Sequence, residues 1–167
     1  MGNKNYHFYV EGEDDRKVVN TLKTDFQWIQ SGKVDVFNVV QNELKIKHLR
    51  VLKKDTIVVL VFDTDTNNIA ILEKNIKFLR KQSFIKEVIC IPQVRNLEEE
   101  LVRSCAIKKA SELTKSKSES EFKSDIIKIS NLQKRLLECK FKFDKFWSSH
   151  PRGVFNKIPN EANLIKK

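Results

Sequence analysis

The sequence predicts an α/β fold: a mostly parallel sheet of about four strands flanked by helices, with a basic, mostly helical extension behind it. Three observations carry this. Short β-prone runs alternate with helical periodicity through the first hundred residues, as in βαβ units. One run, "TIVVLVF" (56–62), is unbroken and β-branched, the signature of a strand buried on both faces. Beyond Pro92 the strand signals cease and helical, Lys-rich segments take over.

The elements follow in order. "YHFYV" (6–10) is short, aromatic and β-prone, and it runs into the acid cluster "EGEDD". Val18, Val19, Leu22 and Phe26 then recur at helical spacing. "KVDVFNVV" (33–40) has a strand-like pattern, and "TIVVLVF" follows as the buried strand. Ile69, Leu72, Ile76 and Leu79 mark one face of a helix that ends near Arg80. "KEVICIP" (86–92) supplies the fourth strand, with Pro92 expected to stop it. "NLEEELVRSCAIKKA" reads as a helix with Asn96 as N-cap and three glutamates near its positive end. "SELTKSKSESEFKSD" (111–125) reads as a mobile connection, and "DIIKISNLQKRLLE" (125–138) as an amphipathic helix. The division is thus a core over 1–102 and an extension over 103–167 packed on the same domain.

At 167 residues the chain can bury one sizeable core. No apolar run approaches the roughly 20 residues of a membrane span, and the apolar stretch of "MGNKNYHFYV" is too short for a secretory signal. Cys90, Cys105 and Cys139 have no C-x-x-C spacing and read as reduced thiols, so a cytoplasmic location is expected. The net charge of +10 is unevenly spread. Residues 1–102 hold 16 basic against 15 acidic side chains, whereas residues 103–167 hold 16 against 7. A basic surface beside acidic clusters suits a polyanion, such as nucleic acid, held over a metal site; the bland reading of the same charge is a soluble, Lys-rich protein.

The acids themselves fall at strand ends. Glu11 and Asp15 follow the first strand, Asp63 and Asp65 follow the buried strand in "VFDTDTNN", and Glu98, Glu99 and Glu100 follow the fourth. In an open parallel sheet those ends share one edge, where ligands bind. Carboxylates brought together there repel unless a hard cation such as Mg²⁺ neutralises them. The bland reading of each group alone is an acid-decorated helix start; three such groups at strand ends argue for a metal. Glu13 and Asp14 are expected to be the solvated opening of the next helix.

"VEGEDD" after a first strand with "VFDTDT" after a later one resembles the Toprim domain, a Rossmann-like fold shared by topoisomerases, bacterial primases, recombination proteins and nucleases. Its signature is a Glu-Gly pair after the first strand and Asp-x-Asp after a later one. The resemblance covers about residues 6–102. It implies acid/base or metal chemistry for Glu11 and Mg²⁺ or Mn²⁺ ligation by Asp63 and Asp65. "VRNLEEELV" is similar to a segment of the nucleases related to the overcoming-lysogenization-defect (OLD) proteins, which implies Asp15 and a further glutamate at a second metal. Glu98 is favoured for that role and Glu100 comes second. The implied activity is metal-dependent cleavage of DNA or RNA, in phage defence or in RNA or DNA processing, with an ATPase partner protein in some relatives. A homo-oligomer is compatible with it.

Two other readings compete. "VLVFDTDTN" also matches the strand and D-x-D-x-T of haloacid-dehalogenase-type phosphatases, in which Asp63 would be a nucleophile; the acidic motif expected downstream is missing. A non-catalytic Toprim-like module that binds nucleic acid or a partner is the second, since fold does not fix function. For backbone contacts the candidates are Arg95, Arg152 in "HPRG", and Lys142 and Lys145 in "CKFKFDKFW". The aromatics of that last stretch are expected to anchor the tail to the core rather than to stack on bases.

Overall fold

The computed structural model describes residues 2–167. It is an α/β fold with a four-stranded, all-parallel sheet flanked by helices. The strands are β1 (Asn5–Val10), β2 (Gly32–Val36), β3 (Thr56–Asp63) and β4 (Ile85–Gln93), ordered β2-β1-β3-β4. All eight residues of β3 are buried, as its unbroken apolar sequence requires of a central strand. Ile57, Val59 and Val61 face one apolar cluster, and Val58, Leu60 and Phe62 face the other.

On the first face lie α1 (Glu13–Asn20), with a widened turn at Thr21–Asp25, and α4 (Leu97–Ser104), α5 (Ala110–Thr114), α6 (Phe122–Lys128) and α7 (Leu132–Glu138). On the second lie α3 (Ala70–Arg80) and the segment around Val39–Leu44, with the short α2 (Ile46–Leu49) beside it. Ile69, Leu72, Ile76 and Leu79 are the buried stripe of α3 expected from their spacing. Within that stripe Asn75 is a buried polar exception. It accepts from Leu44 N–H at 2.8 Å and donates to the Val39 and Asn42 carbonyls, both at 2.8 Å, so it pins the turn between Val39 and Leu44.

Several elements differ from expectation for local reasons. The second strand ends at Val36, because the Asn38 side chain accepts from Val40 and Gln41 N–H and turns the chain. Pro92 does not stop β4, which continues to Gln93. This strand lies at the sheet edge, where a missing N–H costs no ladder bond. The segment 111–125 is not a loose connection: it holds α5, a 3₁₀ turn and the start of α6, with Leu113 and Phe122 fully buried. The amphipathic stretch 125–138 is two helices, broken at Ser130, with Asn131 capping the second through Lys134 N–H.

Beyond Glu138 the chain is irregular apart from two 3₁₀ turns, so the extension is less helical than expected. It still packs on the sheet. Phe141, Phe146, Trp147 and Ile165 join the first cluster, while Phe155 and Ile158 join the second. Glu161 also ties this segment to β4, accepting from Cys90 N–H through its carboxylate and donating its own N–H to the Cys90 carbonyl. Among the described residues no helix is long and apolar enough to cross a membrane.

Replacing Asn75 by Leu strands one buried N–H and two carbonyls. Urea unfolding should then show a loss of roughly 2–3 kcal/mol with an unchanged m-value.

Candidate functional site

Parallel pairing sets the site. Val10 lies opposite Val61, and Asp63 opposite Gln93, so β1, β3 and β4 all end at one edge of the sheet. Glu11 follows β1 directly, and its Oε2 accepts from Asp63 N–H at 3.0 Å. Asp15, one turn into α1, folds back so that its Oδ2 accepts from Gly12 N–H at 3.0 Å. A Cβ on Gly12 would come within 2.7 Å of Asp14 Oδ1, so the Asp14 carboxylate would have to shift.

Gln93, the last residue of β4, joins these groups. Its Nε2 donates to Asp15 Oδ1 at 2.8 Å and to Asp63 Oδ1 at 2.9 Å. The loop after β3 is fastened to the same strand end, with Thr64 Oγ1 donating to the Gln93 carbonyl and Thr64 N–H to the Arg95 carbonyl. Asp65 lies on this loop and is exposed.

Crowding and burial shape the ionisation. Burial pushes Asp63 up to about 9, helped by the negative charges of Glu11, Asp15 and Asp65 and resisted by the Gln93 amide. Burial likewise pushes Asp15 up to about 7, with Asp14 adding to the rise. Glu11 is raised chiefly by burial, against the bond from Asp63 N–H. Burial also raises Glu98, which feels Asp14 and Asp65 as like charges.

Of the glutamate trio, Glu98 is therefore the one in the field of the cluster. Glu100 is the correction. It is fully buried and points the other way: its Oε1 accepts from Val94 N–H at 3.0 Å and from Arg103 at 2.8 Å, and its Oε2 accepts from Trp147 N–H at 2.9 Å. Its oxygens are consumed in holding the backbone, and it is not a ligand of the cluster. The helical turn explains the split, because residues two apart on a helix face nearly opposite sides.

Asp14 is a second correction. It is buried rather than solvated, and its charge acts on Glu11, Asp15 and Glu98. The third is Lys123, at the start of α6, whose ammonium stands 3.9 Å from Glu98. Burial pulls Lys123 down, but Glu98, Asp14, Asp63 and Asp15 together more than offset this and leave it above the usual lysine value. Sequence reading missed it because it lies in the Ser/Lys/Glu-rich segment, where one lysine looks like the next.

Beside Asp65 opens a cleft of about 750 Å³, lined in part by Thr64, Thr66, Asn67, Arg95 and Arg152. The two arginines, far apart in sequence, line the same cleft, as does Glu99. Lys142 and Lys145 are exposed on the C-terminal segment and do not line this cleft.

The donors gathered at the sheet edge are carboxylate oxygens, a set that suits a hard divalent cation. Among the described residues no three His, Cys, Asp or Glu side chains stand at ligating distance as placed. The Gln93 amide lies between Asp15 and Asp63 and donates to one oxygen of each, leaving their other oxygens for a cation. Glu11, Asp63 and Asp65, with Asp15 and Glu98 beside them, are the residues that would hold Mg²⁺ or Mn²⁺. No protein-family model, curated protein or solved structure matches the chain.

The raised acids make stability depend on pH. Asp63 and Asp15 bind protons more tightly folded than unfolded. The stability this gives is complete below about 3.8, their ordinary value, and is lost as pH rises through about 7 for Asp15 and about 9 for Asp63. Without divalent metal, the melting temperature should fall between pH 5 and 9, and Asp63→Asn should flatten the upper part of that fall. Added Mn²⁺ should raise it most at the alkaline end, where the ion no longer competes with protons.

Proposed function

We propose that the chain is a Toprim-type, metal-dependent nuclease related in kind to the OLD nucleases, cleaving phosphodiester bonds of DNA or RNA. The observation that carries this is the convergence of Glu11, Asp63 and Asp65 at one sheet edge, beside a cleft that carries Arg95 and Arg152. The order of motifs and their strand contexts support the Toprim assignment, with Gly12 and the Asp-x-Asp at adjacent strand ends.

Bound Mg²⁺ or Mn²⁺ would supply charge neutralisation and Lewis acidity at the scissile phosphate. Glu11 and Asp63 would hold it, and they are kept together because the Glu11 carboxylate accepts from Asp63 N–H. Asp65, exposed at the mouth, faces both the site and the cleft. Arg95 and Arg152 are positioned to hold a neighbouring phosphate of the strand. Lys123 balances part of the negative charge on the opposite side.

The phosphatase reading fits less well. A nucleophilic Asp63 must reach substrate, yet it is 8% exposed, and its Oδ1 is held by Gln93. A catalytically silent member of the same fold differs from a nuclease only in turnover, so activity decides between them. Phage defence and RNA or DNA processing, in the cytoplasm and with or without an ATPase partner, are the settings this chemistry serves.

Mn²⁺-dependent cleavage of single- and double-stranded DNA and RNA tests the proposal. Asp63→Ala and Asp65→Ala should each abolish cleavage and weaken Mn²⁺ binding by at least the roughly 10–100-fold that even outer partners of a ligand cost. Arg95→Ala and Arg152→Ala should leave Mn²⁺ affinity unchanged and lower the slope of log affinity for nucleic acid against log salt by about 0.7–0.9 each. Hydrolysis of an aryl phosphate lost in Asp63→Asn, with no cleavage of nucleic acid, would sink the nuclease reading.

A further inference from the structure

One uncharged residue touches more of the acid cluster than any single acid does. Gln93 is 1% exposed and donates from one nitrogen to both Asp15 and Asp63. A primary amide has a donating end and an accepting end, and only one orientation suits this position. Turned over, it would give up both of these donated bonds.

Trp147 selects the orientation. Its indole Nε1–H, which can only donate, gives a hydrogen bond to Gln93 Oε1 at 3.0 Å. Trp147 is itself 1% exposed and sits at φ 57°, a left-handed conformation that a bulky residue adopts only when its surroundings hold it there. Those surroundings are explicit. Its N–H donates to Glu100 Oε2 at 2.9 Å, and its carbonyl accepts from Asn160 at 2.9 Å. Glu100 in turn is fixed by Val94 N–H and Arg103. A continuous hydrogen-bonded series thus runs from Glu100 through Trp147 and Gln93 to Asp15 and Asp63.

We propose that Gln93 is the positioning residue of the carboxylate site and that Trp147 sets the orientation of its amide. The irregular C-terminal segment then completes a site whose charged ligands all precede Glu99. This rests on the reading of Glu11, Asp15, Asp63 and Asp65 as a divalent-cation site. Ordinary core packing would also bury a tryptophan and a satisfied glutamine, but it assigns no function to the indole N–H. The two accounts therefore part over a single hydrogen bond.

Calorimetric titration of the full chain with Mn²⁺ separates them. Trp147→Phe keeps an aromatic ring and removes the N–H; Gln93→Met keeps the length and removes the amide. Each should weaken Mn²⁺ binding by about tenfold or more. The double variant should bind no more weakly than Gln93→Met alone, because both changes act through one amide. Near-UV circular dichroism verifies that each variant is folded. Wild-type affinity in Trp147→Phe, or losses that simply add in the double variant, would overturn the inference. Should Gln93→Met fail to fold, Trp147→Phe alone still decides. A wild-type chain that does not bind Mn²⁺ would remove the metal-site reading first, and this inference with it.

Discussion

Like charges forced together at the end of a parallel sheet govern much of this structure. Pairing Val10 with Val61 brings Glu11 beside Asp63, and α1 returns Asp15 to the same edge. Two unit charges 4 Å apart repel by about 4 kcal/mol at an effective dielectric of 20, so several carboxylates cannot stay ionised there without help. The protein offsets the repulsion in three ways. Backbone N–H groups of Asp63 and Gly12 donate to Glu11 and Asp15, Gln93 donates to both aspartates, and Lys123 adds a positive charge. What these leave over appears as the upward shift of Asp15 and Asp63. A fold that needed only solubility has no reason to bury such groups. A divalent cation gives one, since it neutralises the charges that burial penalises.

The sheet was legible in the sequence because its signals are strong and local. An unbroken β-branched run can hardly be anything but a central strand, and the stripe on α3 has clear helical spacing. Glu11, Asp15, Asp63 and Asp65 were legible for a related reason: acids that directly follow strands inherit their position from the sheet. Gln93 and Trp147 were not. A glutamine at a strand end carries no charge pattern, and a tryptophan in an aromatic run looks like core until its indole N–H is seen to meet an amide 54 residues away. Glu100 was misjudged because three consecutive glutamates look alike in sequence, while the helix turns this one onto Val94 and Trp147 N–H. Lys123 and the order in 111–125 were hidden by composition, since Phe122 and Leu113 supply the burial among residues that otherwise suggest solvent.

The same comparison changes how the C-terminal part relates to the rest. Its charge suggested a basic surface added to a finished core. The structure instead has it supplying Trp147 to the inner side of the site and Arg152 to the cleft beside Asp65. The aromatics of "CKFKFDKFW" anchor the chain, as their burial requires, and one of them also reaches a polar partner. Packing and site geometry are here properties of the same residues. Changes in the C-terminal segment should therefore be felt at the carboxylates, over distances that neither charge nor motif would suggest.

The claim that this edge is a divalent-cation site is tested most directly by crystals soaked in Mn²⁺ and measured for anomalous scattering. The account predicts a peak enclosed by Glu11, Asp63 and Asp65, at the roughly 2.0–2.3 Å carboxylate distances of a hard cation, with Glu100 still bonded to Trp147. A map with no peak there, or an ion bound only elsewhere, would contradict it.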